Sequence, residues 1–356
     1  MLSNLEKIIF VVMVIGSFGA SYITFKKMFK VILSGTNPII WTKVIKNWNA
    51  GLIAFISQKT LFKTRPVVGF IHALVAWGFT LYLLVNIIDV LYGFIPNFKF
   101  LPNSITGDIY RLFVDTFSIL VLLGVFYFLA RRFIIQEDRL TIKDPVLLSD
   151  RAKAGMKFDS FIVGAFIIIH IGSRFLSASF EIAIHGADWS QPAANIVATL
   201  WSTLSPNTLT IAEHVTWWLA LGLILLFLPY FPYSKHAHLF MGPLNIMASE
   251  KRRSMAAIET IDFEDEELDQ FGAAQIQHLP QTQLLDGYAC IQCSRCQDAC
   301  PAYETGKELS PSALEINKRY FINDNISTIA NGESIDKALT DWMLTEEAAW
   351  SCTTCG

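Results

Sequence analysis

The densest chemistry in the chain lies in one run, Cys290-x2-Cys293-x2-Cys296-x3-Cys300-Pro301. Three thiolates spaced three residues apart can wrap one face of a [4Fe–4S] cube. The fourth, redirected just before a proline, reaches the other cluster of a pair. Zinc sites use two separated cysteine pairs rather than this triple, and a disulfide framework is foreign to the cytoplasm. Further on, Ser351-Cys352-Thr353-Thr354-Cys355-Gly356 reads as the opening of a second, matching motif. By the crossed-ligand pattern, one cluster takes Cys290, Cys293 and Cys296, with its fourth ligand outside this sequence. The other takes Cys300, Cys352 and Cys355, with its third ligand outside. Two clusters are therefore expected, in a chain that looks truncated at its C-terminus. The plainer alternative is one cluster on Cys290 to Cys300 and a stray Cys-x-x-Cys.

A second set consists of histidines in apolar surroundings: His72, His170, His214, and the pair His236 and His238. Ionisable groups within a bilayer are costly and point to function. Haem iron takes two neutral imidazoles from facing helices. Arg174, four residues after His170, lies on the same helix face, where a haem propionate would suit its guanidinium. The competing reading pairs Arg174 with Asp115 or Glu181 and leaves the histidines hydrogen-bonded and structural. Glu213, beside His214, could relay protons to a quinone or serve as an ordinary surface carboxylate.

Five stretches could position these histidines, near 7–28, 66–93, 109–133, 158–184 and 208–231. Each is long and apolar enough for the ~20 helical residues that cross a bilayer. The first is too long for a signal-peptide core and lacks a cleavage site. Lys/Arg crowd the connections between spans 1 and 2 and between spans 3 and 4, and are sparse in the others. The N-terminus is then expected outside and the tail in the cytoplasm. Depth along the spans pairs His72 with His236 or His238, His236 being favoured, and pairs His170 with His214. Residues 38–62 suggest a helix lying on the inner surface, 192–204 an outer counterpart, and 311–345 a helix with Leu314, Ile316, Tyr320 and Phe321 as its apolar stripe.

Composition agrees with two joined objects. Of 356 residues, 53% are hydrophobic and 17% charged, against about 25% charged in ordinary soluble domains. Disorder and nucleic-acid binding are excluded. Residues 1–232 carry net +7 and no cysteine, whereas residues 233–356 carry net −10 and all six cysteines. The expected fold is an all-α membrane protein: a five-helix bundle (1–240), a charged linker (241–283) holding Lys251-Arg252-Arg253 and the acidic run 262–269, and a small α-helical ferredoxin-like iron–sulfur domain (284–356).

On His72, His214 and the Lys235-His236-Ala237-His238 exit, the membrane part resembles the gamma-subunit family of respiratory nitrate reductase. That family carries b haems and exchanges electrons with quinone. Here Tyr82, not a second histidine, stands ten residues after His72, so His170 would have to substitute. The tail, from Leu284-Leu-Asp-Gly-Tyr-Ala-Cys290 to Pro311, resembles heterodisulfide-reductase-type iron–sulfur proteins. Fusions of the two occur in membrane quinone reductases that accept electrons from electron-transfer flavoprotein. The resemblance implies one or two haems b, a quinone, and a soluble donor such as electron-transfer flavoprotein or a separate CCG-repeat subunit. The expectation is a quinone-linked electron-transfer oxidoreductase of the prokaryotic inner membrane; the alternatives are a haem-free membrane anchor and an iron–sulfur redox sensor.

Overall fold

Prolines and hydroxyl caps set where the helices begin. Pro66, Pro206 and Pro311 each stand in a first helical turn, where a missing N–H removes no intrahelical bond. Ser104 Oγ accepts from Gly107 N at 3.1 Å and Ser205 Oγ from Thr208 N at 3.2 Å, closing two helix starts. The computed structural model describes residues 2–102, 104–249, 262–264 and 270–355. Among the described residues five helices are long and apolar enough to cross a membrane: Asn4–Leu33, Pro66–Phe94, Ile105–Ile134, Asp150–His185 and Pro206–Phe227. They coincide with the five expected stretches and are followed by the cysteine-bearing segment. No strand occurs among the described residues, only an isolated bridge between Thr36 and Pro280. Ile8, Ile15, Leu83, Ile87, Leu123, Phe126 and Leu226 are all more than half exposed, the apolar outer face that lipid would cover.

The chain divides into two compact units. The first comprises Met1–Tyr22, Gln58–Ile134 and Phe161–Tyr230. Its second and third long helices approach closely at glycines: a Cβ on Gly78 would lie 2.3 Å from Val121, and one on Gly124 would lie 2.7 Å from Val75. Small residues let helices pack where the hydrophobic effect gives no drive. Several of its buried hydroxyl groups are satisfied internally. Tyr82 and Ser118 share a hydrogen bond of 2.7 Å, and Ser17 Oγ donates to the Leu225 carbonyl at 2.6 Å.

The second unit comprises Ile23–Ser57, Ile135–Ser160 and Phe231–Gly356. Leu284, Leu285, Tyr288, Ile316 and Ile322 are among its most buried apolar residues. Gln281 ties two distant segments: its Oε1 accepts from Ile39 N at 3.0 Å and its Nε2 donates to the Leu33 carbonyl at 3.0 Å. Asn317 does the same, accepting from Ser149 N at 3.1 Å and donating to the Leu147 carbonyl at 2.9 Å. The cysteine-bearing unit therefore takes in residues 23–57 and 135–160 as well. Within the expected linker, His238–Ala248 is helical, and Asn245 bonds Asp286 of Gln281–Ala289. Lys251-Arg252-Arg253 and most of the 262–269 acidic run lie outside the described residues.

Two helical expectations change. The 38–62 stretch is three short helices, Trp41–Lys46, Trp48–Ser57 and Lys59–Thr64, broken at Asn47 and at Gln58, whose φ is +46°. The 311–345 stretch is helical over Pro311–Asp324 and Ile326–Ala330, then ends at Gly332 with φ +80°. Ile316 and Tyr320 are buried against Ala152 and Met156 as the stripe requires. Leu314 and Phe321 are only half-buried, and the polar Asn317 and Arg319 take the buried face with Ile316.

Candidate iron–sulfur site

The cysteines sit where the backbone turns sharply. Cys290 caps the Gln281–Ala289 helix in extended conformation. Gln292 and Ser294 then adopt left-handed φ of +58° and +60°. Such values are uncommon for residues other than glycine and need support from the surroundings. The reversal lets the Gln292 amide face the Cys290 sulfur at 3.4 Å, as a cluster-wrapping loop must. The second motif repeats the device. Thr354, two residues after Cys352 and one before Cys355, has φ +47°, just as Gln292 stands between Cys290 and Cys293.

Packing separates the first cysteine from the fourth. Cys290 lies against the cluster of Ala152, Met156, Ile316 and Tyr320. Cys300 is buried with Ala302, Leu309 and Ala348. Ala348 belongs to the short Glu346–Trp350 helix that leads into Cys352. The fourth cysteine thus faces the segment that delivers the second motif, which is what a crossed ligand requires.

Burial pushes the Cys290 thiol up to about 12, helped by the Glu315 carboxyl and opposed by the Gln292 amide and Arg319. Such a thiol is neutral at physiological pH until iron supplies the positive charge that makes the thiolate stable. Among the described residues no three His, Cys, Asp or Glu side chains enclose a metal-sized site as they stand. The donor set and loop turns fit iron–sulfur ligation, with side chains that must gather around the cube as it binds.

The histidines are placed differently from the expectation. His170 is buried, stacked on Phe166 with ring centroids 5.8 Å apart and edge-on to Tyr82 at 5.7 Å. Its Nδ1 meets the Ala220 carbonyl at 2.9 Å. A carbonyl only accepts, so Nδ1 carries the proton and Nε2 the lone pair. His72 is set similarly, with Nδ1 on Gln58 Oε1 at 2.7 Å. His214 instead places Nε2 on Glu6, which also accepts from Trp218 Nε1 at 3.2 Å. His214 lines a cavity of about 300 Å³ with Tyr92, Glu213 and Trp217.

His170 and His214 each meet a protein partner rather than one another. His170 is level with Ala220, six residues and about 9 Å along the helix from His214, and the His214 ring is turned to Glu6. His72 is no substitute partner for His170, since Tyr82, beside His170, lies ten residues and about 15 Å along the helix from His72. Arg174, expected to hold a propionate, pairs with Asp89 at 2.7 Å. Asp115, a competing partner for Arg174, instead accepts from Ala193 N at 2.7 Å and Ala194 N at 3.0 Å. In the second unit His236 is buried beside Phe231, with His238 at 6.4 Å between ring centroids. Burial and the neighbouring Lys235 hold the His236 imidazole down to about 4, hence neutral.

Sequence reasoning missed Gln58, Glu6, Asp89 and Arg319, whose partners His72, His214, Arg174 and Cys290 lie 14 to 208 residues away in sequence.

Residues 286–356 match the 4Fe-4S dicluster domain family. The chain is similar to the probable iron-sulfur-binding oxidoreductase FadF of Bacillus subtilis, 31% identical over 84% of this chain and 45% of that protein. It is also similar to the EtfAB:quinone oxidoreductase of Syntrophomonas wolfei, 25% identical over 85% of this chain and 41% of that one. The chain spans less than half the length of these curated relatives. No solved structure matches it.

Proposed function

We propose that the chain is part of a membrane-bound electron-transfer oxidoreductase that passes electrons between a soluble donor and the quinone pool through two [4Fe–4S] clusters. The observation that carries this reading is the repeated left-handed turn in the two cysteine motifs, together with the burial of Cys300 against the helix that leads to Cys352. Cys290, Cys293 and Cys296 hold one cluster; Cys300, Cys352 and Cys355 contribute to the other. The relatives' names support the activity, and the Syntrophomonas protein's name supports quinone and an electron-transfer flavoprotein as the two ends of the path. The distribution of Lys and Arg supports an N-terminus outside the inner membrane and clusters in the cytoplasm.

Reduction of a quinone consumes two electrons and two protons. A ring in the cavity beside His214 would meet the wall of Trp217, with Glu213 and the His214–Glu6 pair as proton-exchanging groups. Haem b would supply one-electron relay in the bilayer. Its support within the first unit is confined to His72, whose Nδ1 is held by Gln58.

One observation favours a second reading. His170, His214 and Arg174 are each satisfied by protein partners, as in a haem-free membrane anchor beneath an iron–sulfur subunit. A reduced-minus-oxidised visible spectrum with iron and sulfide counts separates the two. A b-type α-band beside iron and sulfide supports the haem-containing conduit; iron and sulfide alone support the anchor; no iron at all contradicts both.

A further inference from the structure

The Pro311–Asp324 helix buries a cation that no carboxylate in the described chain neutralises. Arg319 is 1% exposed. Its Nη1 donates to the carbonyls of Gly287 at 3.1 Å, Tyr288 at 3.2 Å and Cys290 at 3.1 Å, and its Nη2 donates to the Ser234 carbonyl. All four acceptors are neutral, and Arg319 forms no ion pair among the described residues. Its neighbour shows the ordinary solution: the equally buried Lys318 pairs with Glu315 at 2.8 Å. A buried charge left without an opposite charge costs several kcal/mol. Among the described residues, the anion that would compensate Arg319 is not a side chain.

The Cys290 carbonyl that Arg319 holds belongs to the first ligand of the first motif. A cube ligated by thiolates is a net anion and gains a further negative charge on reduction, so its potential follows nearby charges and hydrogen bonds. We propose that Arg319 is the fixed buried counter-ion of the cluster anchored at Cys290, and that its charge raises that cluster's reduction potential. Its fork also fixes the backbone from Gly287 to Cys290 and ties it to Ser234, so the charge is held in place with no rearrangement on electron arrival. Arg319 is a positioning residue; it ligates no iron.

The inference rests on the cluster reading, and the experiment separates the two. The full-length protein is prepared as wild type, Arg319→Gln and Arg319→Lys. Iron and sulfide are counted, and each cluster is titrated by EPR-monitored reduction with dithionite. The signal lost in Cys290→Ser identifies the cluster in question. Expected is a fall in that cluster's midpoint in Arg319→Gln of tenfold or more in the reduction equilibrium, which is 59 mV for one electron. The other cluster should stay put, and Arg319→Lys should restore most of the difference. An unmoved midpoint, an equal shift of both clusters, or Arg319→Lys behaving like Arg319→Gln overturns the proposal. Should Arg319→Gln lose iron, loss of the Cys290 cluster alone, with Arg319→Lys keeping both, agrees with it. Loss of both clusters makes Arg319 a structural strut and overturns it. Iron-free wild type overturns the cluster reading, and this inference with it.

Discussion

The two units treat their chemistry-bearing residues in opposite ways. In the first, each candidate haem-site group has a protein partner: His170 a carbonyl, His214 and Arg174 carboxylates, His72 an amide. In the second, cysteines are turned by left-handed residues, and a guanidinium is buried among carbonyls alone. A polar group in an apolar setting needs a partner, and the nearest one in the fold serves as well as a cofactor. Covalent cluster ligands are more demanding, because the backbone between them must reverse whether or not the metal is bound. Spacing of ligands is therefore the firmer signal, and the type and depth of an isolated residue the weaker one.

The largest effect that would sharpen this contrast is at Cys300. Substitution Cys300→Ala in the full-length protein should abolish one cluster, halving the iron, and leave the signal that Cys290→Ser removes. Iron counting with EPR checks it. If the two substitutions remove the same cluster, the ligands are not crossed.

Next is the buried pair in the first unit. Arg174→Met leaves the Asp89 carboxylate buried alone and should cost about 3–5 kcal/mol, read as a lower unfolding temperature in detergent. The double variant Arg174→Met with Asp89→Leu should recover much of this, because replacing both charges removes the uncompensated one. A stable single variant would mean that Arg174 answers to something other than Asp89.

A smaller effect is expected at Asp188, in the connection after the fourth long helix. Burial raises its carboxyl, but hydrogen bonds from Ser190 and Gln191 and the charge of Arg111 outweigh it and hold it below the usual range. A carboxylate depressed on folding stabilises above its unfolded pKa, about 3.9, and loses that contribution as pH falls through the lower folded value. Asp188→Asn should therefore lower stability at pH 7 by about 1 kcal/mol or less and flatten the acid limb below about pH 4. Unfolding midpoints measured from pH 3 to 7 test it. Smallest of all, His214→Gln should leave any visible haem spectrum unchanged, since its Nε2 is held by Glu6; loss of an α-band would restore His214 as a ligand.

Much of the fold was legible because the bilayer dictates it. A span needs about 20 apolar residues whatever its neighbours, so all five long helices were found. Pro311 likewise announced a helix start. The break at Gln58 was not legible, since glutamine carries no turn signal and its left-handed backbone is supported by tertiary contacts such as the bond to His72. Nor were the partners of Arg174 and His214, 85 and 208 residues away in sequence. At the site, cysteine spacing pointed to the ligand candidates, whereas nothing in the sequence around Arg319 marks it, because its acceptors are carbonyls of distant residues.

The central claim is that clusters in this chain exchange electrons with quinone, and the most direct measurement is stopped-flow reoxidation. The full-length protein in lipid vesicles is reduced with a limiting amount of dithionite and mixed anaerobically with a short-chain menaquinone or ubiquinone analogue. The account expects the cluster absorbance near 400 nm to return in proportion to quinone added, with one quinol formed per two electrons. Clusters that stay reduced in the presence of excess quinone would contradict it.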